Sequence, residues 1–208
     1  AYFNVEADMV TYGKTLGGGL PVGVVCGKSH WMKRFQEDKP GDICFARGTF
    51  NSHPYVMAAM QVFLERLETP EVRALYDGLD ERWNQRCQSL NDRLAKASLP
   101  VRVANLSTVW TIMYQVPSRY NWMFQFYLRA EGLALSWVGS GRLIFSLNYS
   151  EDDFQAVTER FIRAALAMQQ DGWWAQVPGL DNRSIRRKIL REMLGKVRKT
   201  PSDPVTSR

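Results

Sequence analysis

Apolar residues at Leu75, Leu79, Trp83, Cys87, Leu90 and Leu94 step by four, four, four, three and four. That period predicts one long helix with a core-facing stripe and a solvated, charged back, ending near 98–100 where Ser, Leu and Pro follow. A second helix is predicted over 55–67, where Ala58 and Ala59 permit close packing and Pro54 suits the first turn. A third follows Ser150, with Asp153 three residues on as a capping box and Phe154, Val157, Phe161, Ala164, Ala165 and Met168 as its buried face. Shorter helices are predicted over 29–35 and 120–131, the latter closed by Gly132 at its C′ position.

Between the helices the pattern turns β-branched and apolar. Residues 8–13 and 20–27 read as strands, the second as a buried one because it is short, apolar and bounded by glycine. Residues 36–47 read as a polar loop around Pro40 and Gly41. The run 101–116, interrupted near 105–107, predicts one or two strands, and 133–138 with 142–147 predict a pair around Gly139 and Gly141. This order implies an α/β C-terminal domain on a mainly antiparallel sheet. Residues 172–179 then read as a linker leaving that domain. Beyond it, Ile185, Ile189, Leu190, Met193, Leu194 and Val197 stripe an otherwise basic helix. Three occupants of the stripe compete: its own domain, another protein, or an anionic surface.

Composition narrows the class. A chain of 208 residues with 45% hydrophobic content and seven tryptophans can build a core. No run of about 18 apolar residues is present, so a membrane span is not expected, and the first residues lack the pattern of a signal peptide. Cys26, Cys44 and Cys87 are odd in number and without metal-ligand spacing, which favours free thiols in a reducing cytoplasm and no metal site. The net charge of +6 is localised: residues 183–208 hold nine Lys and Arg against Glu192 and Asp203, so the rest of the chain is close to neutral. Nucleic-acid recognition is disfavoured, because the aromatic residues lie upstream of the basic segment.

The candidate chemistry sits at Lys14. Residues 8–13 stiffen the backbone before it, and Gly17, Gly18 and Gly19 after it admit main chain or a flat ligand where a Cβ would collide. A lysine that attacks a carbonyl must be desolvated or set near other cations, and an apolar, glycine-lined setting is expected to desolvate this one. The alternative is a surface lysine in a glycine-rich turn. Gly13, Lys14 and Thr15 also spell the end of a phosphate-binding loop, but Asp8 stands where that loop needs its first glycine.

Asp8-Met-Val-Thr-Tyr-Gly-Lys14 followed by Gly17-Gly-Gly-Leu-Pro21-Val-Gly23 resembles the cofactor-lysine signature of class III aminotransferases. Arg47-Gly-Thr49-Phe-Asn-Ser-His-Pro54 is similar to the G-T-x-x-x-x-P segment of that family, and Arg142-Leu-Ile-Phe-Ser-Leu resembles its closing strand. The layout is nearest to the glutamate-1-semialdehyde 2,1-aminomutase branch, over about residues 1–169.

The resemblance implies a fold type I transferase using pyridoxal 5′-phosphate (PLP). Residues 1–70 would end the large cofactor-binding domain, 71–171 would form the small C-terminal domain with its connecting helix, and 172–208 a linker and basic tail. It implies that Lys14 forms a Schiff base with PLP, that Gly48 and Thr49 hold the cofactor, and that Thr49 serves the active site of a partner subunit in a homodimer. The N-terminal half, with the groups that contact the pyridine ring, is expected on sequence preceding Ala1. Arg142 occupies a position where several family members grip a substrate carboxylate, although the aminomutase branch usually lacks that arginine. His53 stands where much of the family has a smaller polar residue, and either lines the substrate entrance or fills the dimer contact. The substrate is then a small-molecule or carrier-bound carbonyl compound. A different class of reading keeps the fold without catalysis, as an interaction module with the basic tail as its contact surface.

Overall fold

A computed structural model describes residues 2–43, 48–134, 141–174 and 177–197. The chain divides into two compact units, Ala1–Asp77 and Gly78–Arg208.

In the first unit, β1 (Met9–Gly13) pairs antiparallel with β2 (Gly23–Gly27), with Met9 opposite Gly27 and Gly13 opposite Gly23. A 3-10 turn over Lys14–Gly17 joins them, closed by Gly18 at φ +59° and Gly19 at φ +98°. The short helix α1 (Ser29–Met32) follows, then α2 (Pro54–Leu67) and α3 (Pro70–Ala74). Pro54 takes the first helical position of α2, as its fixed φ and missing N–H predict. The Thr69 hydroxyl caps α3 by accepting from Val72 N. Ala59 does provide a close approach, since a Cβ on Gly18 would lie 3.6 Å from its carbonyl oxygen.

One expectation fails here. The 20–27 run is mostly solvent-exposed rather than buried, and its strand begins only at Gly23. Gly17 is the one buried residue among those described in this unit. The apolar run is a surface that this unit does not cover.

The second unit contains the core. Helix α4 (Leu79–Lys96) leads into the hairpin β3 (Val101–Leu106) and β4 (Val109–Tyr114); then come α5 (Phe124–Ala130), β5 (Arg142–Ile144), α6 (Glu151–Gln170) and α7 (Asn182–Val197). The sheet order is β3-β4-β5 with both pairings antiparallel. Val101, Val103, Trp110 and Ile112 point into the core while Arg102, Thr111 and Met113 alternate outward, the period-2 pattern of a half-buried sheet. Asn91 fixes α4 on the sheet by accepting from Val103 N at 2.8 Å and donating to Val103 O at 2.9 Å. Trp83, Trp110, Phe145 and Phe154 form an aromatic cluster with ring centroids 4.9–6.1 Å apart. Arg86 is buried over Trp83 and Phe154, and its guanidinium is satisfied by Glu151 and the Tyr149 carbonyl.

The capping box at Ser150 and Asp153 forms as predicted, with Thr158 buried and Val157 only half-buried on the stripe of α6. Gly132 at φ +82° completes a Schellman motif, Leu133 N bonding to Leu128 O and Gly132 N to Arg129 O.

Two other expectations are corrected, and one of three open alternatives is narrowed. The stripe starting at Leu75 is not one helix: α3 stops at Ala74, and Gly78 at φ +60° turns the chain before α4. Left-handed backbone cannot continue a right-handed helix, whatever the spacing of the leucines. The 172–179 segment does not simply leave the domain, since Trp174 is buried in the core and donates from Nε1 to Asn121 Oδ1. The stripe of α7 is not buried on its own unit, because Leu190, Met193 and Leu194 are exposed. Of the predicted strand over 133–138, residues 135–138 lie outside the described residues; Arg142–Ile144 pairs with β4.

Candidate active site

Lys14 emerges where β1 ends. The return of the chain through Val22 dictates what can flank it: a Cβ on Gly13 would sit 3.2 Å from the Val22 carbonyl oxygen, and one on Gly17 would meet Val22 Cγ1 at 2.9 Å. These glycines let the connection fold tightly on itself, and the tight turn holds Lys14 at φ +54°. A residue with a Cβ pays roughly 1–2 kcal/mol for that left-handed conformation. Strain of this kind concentrates where a side chain has to be aimed.

Lys14 lines a shallow depression of about 630 Å³ together with Thr15, Gly19, Leu20, Pro21 and Val22. Its side chain is exposed, so the expected desolvated setting is not provided by the walls this unit supplies. The glycine-rich side is open: nothing lies within 4 Å of a Cβ built on Gly19. A planar ligand can therefore approach the amine along the main chain.

Gly48 and Thr49 occupy an exposed turn, where Asn51 N donates to Gly48 O at 3.0 Å. They line a larger cleft of about 920 Å³ with Leu20 to Val25 on one side and Phe50, His53, Tyr55 and Met60 among those on the other. His53 precedes α2 and sits between the rings of Phe50 and Tyr55, at 6.1 and 5.4 Å. Its Nδ1 is buried and lacks a partner among the described groups. A polar atom left so at a cleft is costly unless a ligand or another chain satisfies it.

The structure thus places Lys14 and Thr49 close to one segment without joining them in one cavity, for Leu20, Pro21 and Val22 are walls of both depressions. Arg47 lies outside the described residues. Arg142 belongs to the second unit, where it is exposed at the start of β5, opposite Thr111, beside a small depression walled by Asn105 and Trp110. Sequence reasoning singled out Thr49 and His53 but not Asn51 and Ser52, which share their cleft; the available signal was a run of turn-forming side chains just before Pro54.

The arrangement can be tested for fit to a phosphorylated aldehyde. A primary amine stands on left-handed backbone beside an open glycine edge, and the Thr49 hydroxyl lines the neighbouring cleft that also holds the buried His53 Nδ1. Both chemical requirements, an amine for the carbonyl and donors for the phosphate, are met by residues of this unit. Of the two described thiols, Cys26 follows the lining residue Val25 without itself lining either depression, and burial pushes the Cys87 thiol up, with the Asn91 hydrogen bond opposing it.

A family model described as aminotransferase class-III matches residues 1–165. The glutamate-1-semialdehyde 2,1-aminomutase of Natronomonas pharaonis is 32% identical over 112 residues, covering 54% of this chain and 24% of that protein. The corresponding enzyme of Desulfovibrio desulfuricans is 28% identical over 166 residues, covering 74% of this chain and 38% of that protein. Among solved structures, an omega-transaminase from Sphaerobacter thermophilus superposes with a TM-score of 0.66 at 23% identity, over 81% of this chain and 40% of that one. A transaminase with PLP bound gives a TM-score of 0.67, also at 23% identity, over 82% and 41%. The chain spans about a quarter to two fifths of the length of these relatives.

Proposed function

The chain belongs to the class III aminotransferase family, a fold type I group whose cofactor is PLP, and from that premise we propose that it is the C-terminal portion of an enzyme moving an amino group to an aldehyde or ketone. The observation that carries this reading is the backbone of Lys14, held left-handed between a strand end and an open glycine run. The cofactor, when bound, supplies an electron sink that makes the substrate Cα–H acidic.

In this proposal Lys14 Nζ would hold the cofactor through its aldehyde carbon, water being lost, and once freed by an incoming substrate amine Nζ would act as the base that accepts the substrate Cα proton and the acid that returns it. Gly48 N–H and the Thr49 hydroxyl hold phosphate oxygens. Because Thr49 lines a different depression from Lys14, the two sharing only the Leu20–Val22 wall, we assign it to the cofactor of a second copy, which makes the enzyme a homodimer with shared sites. The same assembly, with the polypeptide matching the remaining length of the relatives, would cover the exposed apolar residues of the first unit and exclude water from Lys14. Arg142 offers a planar fork to a substrate carboxylate. The exposed Cys26 and the buried Cys87 are both free, which suits a reducing cytoplasm.

The test is borohydride reduction of the chain, together with the polypeptide that supplies the rest of the relatives' length, in the presence of PLP. Peptide mass spectrometry should find a phosphopyridoxyl group on Lys14 in preference to Lys28 or Lys33, and Lys14→Ala should lose both this label and the yellow absorbance. Labelling of Lys14 no stronger than that of the other surface lysines would sink the proposal.

A further inference from the structure

We propose that α7 is a surface for anionic membranes, binding phosphate-bearing lipid headgroups through its arginines while its leucines enter the headgroup boundary. Leu190, Met193 and Leu194 are 57%, 60% and 57% exposed on the described structure. Leu190 and Leu194 continue a row begun by Arg186, and the next row is Arg183, Arg187 and Arg191, each row stepping by four residues. Rows three or four residues apart are neighbours on a helix, so apolar and cationic side chains stand side by side along one edge.

The charge of that edge is of one sign. Residues 182–197 contain six Lys and Arg and a single acid, Glu192. Arg119 holds the Glu192 carboxylate with two hydrogen bonds of 3.0 and 2.8 Å, and this pair turns the acidic side of the helix toward its own unit. Asp181 is used as the N-terminal cap, accepting from Ser184 N at 2.6 Å. Arg183, Arg187, Lys188 and Arg191, with Asp181 and Ser184 at the N-terminal end, then line a depression of about 500 Å³ in which four cations face one carboxylate.

Charge complementarity selects the occupant. Nucleic-acid phosphates would satisfy the arginines but leave the leucine row in water. An anionic bilayer surface satisfies both, because arginine stems lie along apolar matter while their heads stay at the phosphates. α7 itself has 16 residues with six Lys and Arg, too short and too charged to cross a bilayer, so in this proposal it lies on the surface.

Sedimentation of the full chain with vesicles tests this. It should partition onto an equal mixture of phosphatidylcholine and phosphatidylserine, stay in solution with phosphatidylcholine alone, and be released as salt rises. Reversing two charges in Arg187→Glu with Arg191→Glu should weaken partition at least about thirty-fold. Leu190→Ser with Leu194→Ser should weaken it about tenfold. All four positions are exposed, and an unchanged near-ultraviolet circular dichroism signal from the buried tryptophans verifies the fold of each variant. Equal partition onto neutral vesicles, no partition at all, or indifference to charge reversal overturns the proposal. Retention on immobilised polyglutamate without vesicle binding also overturns it, in favour of an acidic protein partner.

Discussion

At Lys14 the chain keeps a side chain where the backbone prefers glycine, and that conflict can be measured. Lys14→Gly removes the left-handed penalty while Lys14→Ala retains a Cβ and therefore the strain. Amide hydrogen exchange in the β1–β2 hairpin should slow by about fivefold in Lys14→Gly, corresponding to about 1 kcal/mol, and be unchanged in Lys14→Ala. Equal exchange in the two variants would show that the backbone at this position is not strained. The residue itself was legible in sequence, since glycines flank it on both sides. Its solvent exposure was not, because burial of an amine depends on surfaces that local composition does not supply.

Among the elements, α6 shows the closest agreement between motif and geometry. Ser150 Oγ accepts from Asp153 N at 3.1 Å, while Asp153 Oδ2 accepts from Ser150 N at 3.0 Å, so two donors at the helix start are satisfied reciprocally. Ser150→Ala should cost about 1 kcal/mol in chemical denaturation. The hydrogen bonds from Ser150 hold the Asp153 carboxyl below its usual range. A carboxyl depressed in the folded state contributes stability above its unfolded value, and that contribution is lost as pH falls below about 4. Acid unfolding of Ser150→Ala should accordingly be less steep with pH than that of the parent, and identical acid limbs would refute the coupling. Elsewhere periodicity misled. Leu75 continues the spacing of α4, yet Gly78 at φ +60° separates it from that helix. Spacing reports which side chains could share a face, whereas one backbone dihedral decides whether the face exists.

For the whole molecule the two units differ in kind. The aromatic and aliphatic core, from Trp83 to Trp174, belongs to Gly78–Arg208. Ala1–Asp77 buries only Gly17 among its described residues and exposes Tyr12, Val25, Trp31, Phe35, Phe50 and Tyr55. Residues 78–208 expressed alone should unfold cooperatively with an intact near-ultraviolet signal, because their apolar burial is internal. Residues 1–77 alone should show neither, since exposed apolar side chains contribute nothing against the entropy of ordering the chain. Cooperative unfolding of the first unit in isolation would contradict this, and with it the need for covering surfaces around Lys14.

By itself the sequence determined what depends on neighbours a few residues away: the capping box at Ser150, the Schellman glycine at Gly132, the proline start of α2, the hairpin broken near Ser107, and a lysine set before a glycine run. These follow from torsional preferences and local hydrogen bonds. Only the tertiary structure decided that Trp174 closes the core, that the 20–27 run lies open to solvent, that Thr49 and Lys14 flank a shared wall, and that the stripe of α7 is left uncovered. Each of those is a question of which distant surface fills a given space, and packing over long sequence separations leaves no trace in the spacing of the residues it joins.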